Sequence, residues 1–329
     1  MIEAHNVTKR YGSTLAVDSV NFTVRPGKVT GFLGPNGAGK STTMRMIVGL
    51  DHPTHGSVTV NGRPYAQHRA PLTEVGALLE AKAVHTGRSA TNHLRALAAT
   101  HGFAKKRIDE VIEMTGLQTV AGKRVGGFSL GMGQRLGIAA ALLGEPHTLI
   151  LDEPVNGLDP EGVIWVRNLV RYLASEGRTV FLSSHLMSEM AVTADHIIVI
   201  GRGRIIADAP VADIVAQSTG TAVRVRSPQA TRLVELLRGP GVTVTTSEPG
   251  LLEVTGSTAE KIGEAAAAAQ LVLHELTPIK GSLEDAYMSL TAESTEFHSA
   301  PTGEHHPDGA PPAVATAPGY PTTTEEQAR

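Results

Sequence analysis

The chain contains no cysteine. That excludes disulfide bridges, zinc–thiolate centres and a cysteine nucleophile, and it fits a reducing cytosol. It also lacks a dominant charge: 29 Lys and Arg stand against 32 Asp and Glu, a formal net charge of −3. No global field therefore argues for nucleic acid as a partner. The first residues, Met1-Ile2-Glu3-Ala4-His5-Asn6, form no apolar signal region. No run reaches the ~18 apolar residues that cross a bilayer. The longest apolar helix face, Leu136 to Leu143, spans about two turns and stops at Gly144-Glu145-Pro146. A role at a membrane would need another chain to supply the membrane. What remains is 329 residues, 41% hydrophobic and 19% charged. This is the composition of a globular protein with a sizeable core and room for two domains.

The most informative stretch is Gly34-Pro35-Asn36-Gly37-Ala38-Gly39-Lys40-Ser41-Thr42. It fits the phosphate-loop pattern G-x-x-x-x-G-K followed by Ser or Thr, and its setting is right. Val29 to Leu33 reads as a short buried strand, and Thr43 to Val48 as the first turns of a helix. A strand that feeds a helix through a glycine-rich turn leaves backbone N–H groups converging at the positive end of the helix dipole. Gly37 and Gly39 let the backbone bend tightly and approach a ligand. Lys40 reaches the β- and γ-phosphates, and the Ser41 hydroxyl is placed to ligate Mg²⁺. These residues predict a nucleoside triphosphate site.

Around this loop, residues 1–80 read as strands and turns: His5 to Thr8, Asn21 to Val24 and Gly56 to Val60. Residues 89–127 change character. Thr91 is expected to cap a helix through Thr100 that Gly102 stops. A second helix is expected from Lys105 to Thr115, with Ile108, Val111 and Ile112 on one face and Gly116 after it. The runs Thr148 to Leu151, Thr179 to Leu182 and His196 to Ile200 are almost wholly apolar, as strands buried on both faces are. From residue 217 the order is βαββαβ. The strands are Ala222 to Arg226, Val242 to Thr246, Leu251 to Thr255 and Val272 to Leu276; the helices are Gln229 to Arg238 and Ala259 to Gln270. That is the order of a ferredoxin-like domain. A closing helix, Ser282 to Leu290, follows. Residues 292–329, rich in Pro, Thr, Ala and Gly, read as a disordered tail. Its His298, His305 and His306 read as solvated rather than as metal ligands.

Leu149-Ile150-Leu151-Asp152-Glu153 ends a buried strand with two carboxylates. In a triphosphatase an Asp there holds Mg²⁺, usually through water. The adjacent Glu can polarise the attacking water as a general base. A solvated strand end is the plain alternative, but Pro154 and Asn156-Gly157-Leu158-Asp159-Pro160 follow directly and argue against it. Ser183-Ser184-His185 ends the next strand, and a histidine there can donate to a γ-phosphate; alone, it reads equally as structural. Phe128-Ser129-Leu130-Gly131-Met132-Gly133-Gln134-Arg135 opens a helix. A Ser hydroxyl, a Gly backbone and a helix N-terminus make a second phosphate site. One phosphate loop has no use for it, whereas a dimer whose subunits reach across to each other's nucleotide does.

In their order these segments resemble the nucleotide-binding subunits of ABC transporters over about residues 1–215. Gly34 to Thr42 matches Walker A, Phe128 to Arg135 the signature in an S-x-G-M-x-Q-R form, and Leu149 to Glu153 Walker B with the catalytic Glu. Asn156 to Asp159 resembles the D-loop, His185 the switch histidine, and Tyr11 the aromatic residue on which adenine stacks. The signature form, the lone cassette and Ser282 to Met288 resemble the drug exporters of the bacitracin and daunorubicin type, whose permeases are separately encoded. Two positions depart from the pattern. Glu80 follows the strand Val75 to Leu79 where most relatives place a Gln at Mg²⁺ and water, and Leu130 stands where many have Gly.

The resemblance implies an α/β P-loop NTPase core of the ABC type over 1–216, with a helical insertion at about 81–145. The small α+β domain over 217–291 and the tail over 292–329 follow it. It implies two cassettes closing around two ATP molecules, each between Walker A of one copy and Ser129 and Gly131 of the other. Gly34, Asn36, Gly37, Gly39, Lys40, Ser41 and Thr42 would hold the phosphates; Ser41, Asp152 and Glu80 would face Mg²⁺. Glu153 would activate water and His185 would steady the γ-phosphate. The groove near residues 80–100 would receive a helix of the permease, placing the chain peripherally on the cytoplasmic face of a membrane. Drugs are the favoured cargo. A soluble ABC-type ATPase acting on ribosomes or nucleic acid is the alternative, weakened by the single Walker A and the missing basic patch. A plain P-loop kinase fits the Ser129 motif and the adjacent Asp152 and Glu153 poorly.

The tail has too little apolar surface to offset an ordering entropy of roughly 1–2 kcal/mol per residue. Deleting residues 296–329 is expected to leave the melting temperature and ATPase activity unchanged. A drop of several degrees would show that the tail is docked.

Overall fold

A strand turns successive side chains to opposite faces, so a strand that is apolar at every position must be covered on both. In the computed structural model of the chain this cover is provided by helices on one side and a second sheet on the other. The structure describes residues 1–80, 84–218, 222–279 and 281–291; the expectations for the tail and its histidines lie outside the described residues.

The chain opens with β1 (Ile2–Tyr11) and β2 (Thr14–Val24). Strand β3 (Val29–Leu33) leads through the phosphate loop to helix α1 (Lys40–Ile47). β4 (His55–Val60), the short α2 (Pro71–Glu74) and β5 (Val75–Leu78) follow. Then come α3 (Ala90–His101), α4 (Lys105–Met114) and α5 (Leu130–Leu142). After these the chain alternates: β6 (Thr148–Leu151), α6 (Pro160–Ser175), β7 (Thr179–Ser183), α7 (Met187–Thr193), β8 (His196–Gly201), β9 (Arg204–Pro210) and α8 (Val211–Ser218).

The six-stranded sheet has the order β5-β6-β7-β3-β8-β9. Its first five strands are parallel and β9 closes the edge antiparallel. Leu149 and Leu151 of β6 face one core with Leu136, Leu142 and Val170. Ile150 between them faces the other core, with Phe32, Phe181, Met44 and Val58. The second sheet, β2-β1-β4, is antiparallel and lies on that side. Phe22 of β2 meets Phe32 and Phe181 there, with ring centroids 5.9–6.0 Å away, and Phe32 and Phe181 lie 5.1 Å apart.

The helical stretch corrects one detail. The cap of α3 is Ser89, whose Oγ accepts the Asn92 N–H at 3.3 Å. Thr91 lies inside the first turn, and its hydroxyl and N–H both donate to the Ala121 carbonyl. Gly102 ends the helix at φ +70°. The buried face of α4 is Ile108, Val111 and Ile112, as its spacing predicts.

The C-terminal part holds β10 (Ala222–Arg226), α9 (Ala230–Leu237), β11 (Thr243–Glu248), β12 (Leu251–Thr255), α10 (Ala259–Ala268) and β13 (Glu275–Ile279). The sheet order is β11-β12-β10-β13, all antiparallel, which is the ferredoxin-like arrangement. Its last strand sits three residues later than its apolar run suggests. The Val272 N–H donates to the Gln229 side chain and its carbonyl accepts from Ser227 Oγ, which removes it from the ladder. Pro278 is tolerated because β13 is an edge. Helix α11 (Leu283–Thr291) starts with a reciprocal cap between Ser282 and Asp285. Its Leu283 and Ala286 pack into the first core beside Met190 and Ile214.

Phe181 is fully buried at the junction of the two sheets. Phe181→Ala is expected to destabilise the protein by about 3–5 kcal/mol, read as a lower urea midpoint. A shift below about 1 kcal/mol would mean that the aromatic cluster collapses readily around the gap.

Candidate active site

Strands β3, β6 and β7 run side by side in parallel, so the loops after Leu33, Leu151 and Ser183 emerge at one end of the sheet. There they line a cavity of about 400 Å³ formed by Asn36, Gly37, Gly39, Lys40, Ser41, Thr42, Glu80, Gln134, Asp152 and Glu153, among others. The loop is built for close approach. Gly37 and Gly39 have φ of +81° and +105°, and a Cβ on Gly39 would lie 2.6 Å from the Ala16 carbonyl oxygen. Gly39 caps α1, so Lys40 is the first helical residue.

Lys40 Nζ donates to the Gly34 carbonyl at 2.6 Å and to the Pro35 carbonyl at 3.2 Å. The ammonium is thus curled into its own loop. Loss of solvent pulls its pKa below the ordinary lysine range, and the Glu153 and Asp152 carboxylates pull it back up. A polyphosphate would replace the two carbonyls with stronger, charged acceptors.

The two carboxylates are held by hydroxyls. Ser41 Oγ donates to Asp152 Oδ2 at 2.7 Å. Ser183 Oγ donates to Asp152 Oδ1 and accepts the Glu153 N–H at 2.9 Å. Glu153 has a left-handed backbone, φ +49°. Its Oε2 meets His185 Nδ1 at 2.7 Å. With Nδ1 engaged there, donation from His185 to a γ-phosphate would fall to Nε2 or need a turn of the ring.

The remaining expected residues stand apart from this cluster. Ser129 caps α5 by accepting the Met132 N–H at 3.2 Å; a hydroxyl that accepts still has a proton to donate. Gly131 packs on the Asn156–Asp159 loop, close to the Gly157 carbonyl. Neither residue lines the cavity of its own chain, although their neighbours Leu130 and Gln134 do. Tyr11 lies outside the cavity wall too, with its ring exposed. Its hydroxyl donates to Asp51 at 2.9 Å, and Lys9 Nζ stands 4.9 Å from the ring centroid. Desolvation and the Asp51 hydrogen bond raise its pKa. Asp159 caps α6 through the Gly162 N–H at 3.0 Å, with Pro160 at the first helical position.

Sequence reading gave no role of their own to Ser183 or Ala16, and Gln134 entered only as a member of the signature segment Phe128 to Arg135. Ser183 had a visible signal, since it lies two residues before His185 on a strand beside Asp152. The contact of Ala16 with the phosphate loop has no local signal, because it depends on how β2 folds over the loop.

Comparisons with known proteins agree with this geometry. A family model described as ABC transporter matches residues 17–156. A domain of unknown function matches residues 221–284. The bacitracin transport ATP-binding protein BcrA of Bacillus licheniformis is 44% identical over 213 residues, 64% of this chain and 70% of that protein. The uncharacterized ABC transporter ATP-binding protein YhcH of Bacillus subtilis (strain 168) is 36% identical over 308 residues, 90% of this chain and 97% of that protein. Among solved structures, the dimeric post-hydrolysis state of the ATP-binding cassette MJ0796 with ADP and Pi aligns with a TM-score of 0.59 at 25% identity. It covers 64% of this chain and 99% of that one. A phosphate loop, paired carboxylates and relatives of this length and identity lead to one conclusion: the chain belongs to the ABC transporter ATP-binding protein family and is an ATPase of that family.

Proposed function

We propose that the chain is the ATP-hydrolysing subunit of an export pump, energising a separately encoded membrane permease with a drug or antibiotic as cargo. The observation that carries the shared-site part of this reading is the separation of Ser129 and Gly131 from the cavity of their own chain. The cavity lacks these two residues, and a second copy would supply them. The likeness to a bacitracin transport ATP-binding protein supports the cargo class. Among the described residues no helix is long and apolar enough to cross a membrane, so the path for cargo belongs to another chain. That chain would hold this one at the cytoplasmic face.

The donor set suits Mg²⁺. Ser41, Asp152 and Glu80 offer hard oxygens on one cavity. Among the described residues no cluster of three or more His, Asp or Glu forms a closed metal cage. Mg²⁺ is commonly held by one or two protein oxygens together with waters and substrate phosphates. When bound, it would neutralise charge on the β- and γ-phosphates. Lys40 would neutralise further charge at the γ-phosphate. Glu153 would take a proton from the attacking water as its oxygen bonds to the γ-phosphorus. The bond from that phosphorus to the bridging oxygen breaks, leaving ADP and inorganic phosphate. Loss of the γ-phosphate removes the contact with Ser129 and Gly131 of the other copy and lets the dimer open.

Lys40→Ala is expected to abolish hydrolysis with the melting temperature preserved; near-parental turnover in the folded variant would overturn the site. Glu153→Gln is expected to bind ATP, turn over very slowly and accumulate an ATP-bound dimer. Size-exclusion runs with and without Mg-ATP read this, and an unchanged monomer peak with nucleotide bound would refute the shared site.

Glu80 calls for its own test. Gln and Glu both accept from water and both offer an oxygen to Mg²⁺, whereas Ala offers neither. Glu80→Gln is expected to keep most of the turnover. Glu80→Ala is expected to lose at least about tenfold, roughly 1.4 kcal/mol of barrier. The measurement is turnover at saturating Mg-ATP with the permease present, and parental turnover in Glu80→Ala would remove Glu80 from the site.

A further inference from the structure

Glu153 combines three features that nothing above accounts for. It is a non-glycine residue in the left-handed region, φ +49°. It stands two residues past the end of a strand that is buried at every position. Its main-chain groups are held by side chains from two different elements. On one side Ser183 Oγ, fully buried on β7, accepts the Glu153 N–H at 2.9 Å. On the other, Gln134 Nε2 on α5 donates to the Glu153 carbonyl at 3.1 Å. The Asn156 N–H shares that carbonyl at 3.1 Å, so both of its lone pairs are engaged.

We propose that Ser183 and Gln134 are positioning residues that clamp the backbone of Glu153 in its left-handed conformation and so aim its carboxylate. The inference rests on the reading of Glu153 as the general base. An L-residue with this φ persists only where its surroundings over-determine it. Two side-chain hydrogen bonds on one peptide segment do so. If Glu153 relaxed to an extended conformation, the side chain would leave the line from His185 Nδ1 through Oε2 toward the cavity.

The chemistry of Gln134 argues against a packing role. The residue is 95% buried, with a relative exposure of 5%. A carbonyl accepts only from the NH₂ end of an amide, which fixes the orientation of the side chain. The other end, Oε1, has no partner among the described residues. A buried acceptor without a partner is costly, and an apolar residue of the same size would avoid the cost. The hydrogen bond that the Gln134 amide does make runs to the Glu153 carbonyl. Ser183 is similarly specific. Its hydroxyl accepts from Glu153 while donating to Asp152, and valine or alanine would fill the same space without either bond.

The test is steady-state ATP turnover and nucleotide affinity in the full chain with its permease, for Gln134→Met, Ser183→Ala, Ser183→Thr and the control Glu153→Gln. Gln134→Met and Ser183→Ala are each expected to lower kcat about tenfold, with the KM for ATP within about twofold of the parent. Ser183→Thr keeps the hydroxyl and is expected to restore turnover to within about threefold. A fold defect would depress ATP binding and would not be rescued selectively by Thr. The half-saturating Mg²⁺ concentration is expected to stay unchanged in Ser183→Ala. If it rises, Ser183 acts through Asp152 and its part of the clamp is overturned. Parental kcat in Gln134→Met or Ser183→Ala, while Glu153→Gln is inactive, would overturn the clamp and leave the general base standing. Parental turnover in Glu153→Gln would overturn the reading of Glu153 itself.

Discussion

The parallel alignment of β3, β6 and β7 is the constraint on which the site depends. Parallel strands bring every connecting loop that follows them to the same end of the sheet. Residues 34–42, 152–153 and 184–185 are far apart in sequence, yet they meet because each follows one of these strands. The pairing is specified by burial. Ile150 and Phe181 face one core, while Leu149, Leu151, Leu182 and Val180 face the other. A slip of one residue would move apolar groups between faces that are both packed, and would carry Asp152 or Ser183 into a core.

At that end of the sheet the charges are arranged so that none is buried alone. Lys40 has lost most of its water, and two loop carbonyls take its place. Asp152 accepts from two hydroxyls on separate elements, Ser41 and Ser183, so its position registers both the loop and β7. Glu153 extends the chain of contacts to His185. Fixed dipoles around a cluster of charges lower the reorganisation required when a reaction moves charge through it. The same arrangement explains why the end of β6 carries two adjacent carboxylates in different settings. Asp152 is tied at both oxygens, while Glu153 has one oxygen outside the His185 contact.

Much of this was legible in the sequence, for reasons that differ from element to element. The phosphate loop was legible because only Gly fits the positive φ at 37 and 39. Strands β6, β7 and β8 were legible because both faces are buried, so nearly every residue is apolar. Helix α4 was legible from Ile108, Val111 and Ile112, one turn apart on a buried face. Helix α6 has no counterpart in the sequence reading although Val166, Leu169, Val170 and Leu173 have helical spacing, because Asp159 reads there as the end of a loop and not as a cap. Strand β13 was displaced by three residues, because Val272 has the side chain of a strand residue and backbone partners outside the sheet. The bonds to Glu153 were not legible at all. They join α5, β6 and β7 across the fold, and no local pattern encodes them.

Helix α5 links the two halves of the site in a way that only the assembled fold shows. Its cap Ser129 and its first-turn Gly131 stand outside the cavity of their own chain, whereas Leu130 between them lines it. One turn later Gln134 reaches the Glu153 carbonyl. Residues three and four apart on a helix share a face, so Leu130, Gly131 and Gln134 are neighbours on one surface. Gly131 is the small member of that surface. A Cβ there would crowd the Gly157 carbonyl, and Leu130 itself packs against Gly157. The Asn156–Asp159 loop is therefore held between the start of α5 and the cap of α6. The start of α5 thus touches the loop after Glu153 through Leu130 and Gly131, and one turn later it touches Glu153 itself through the Gln134 amide.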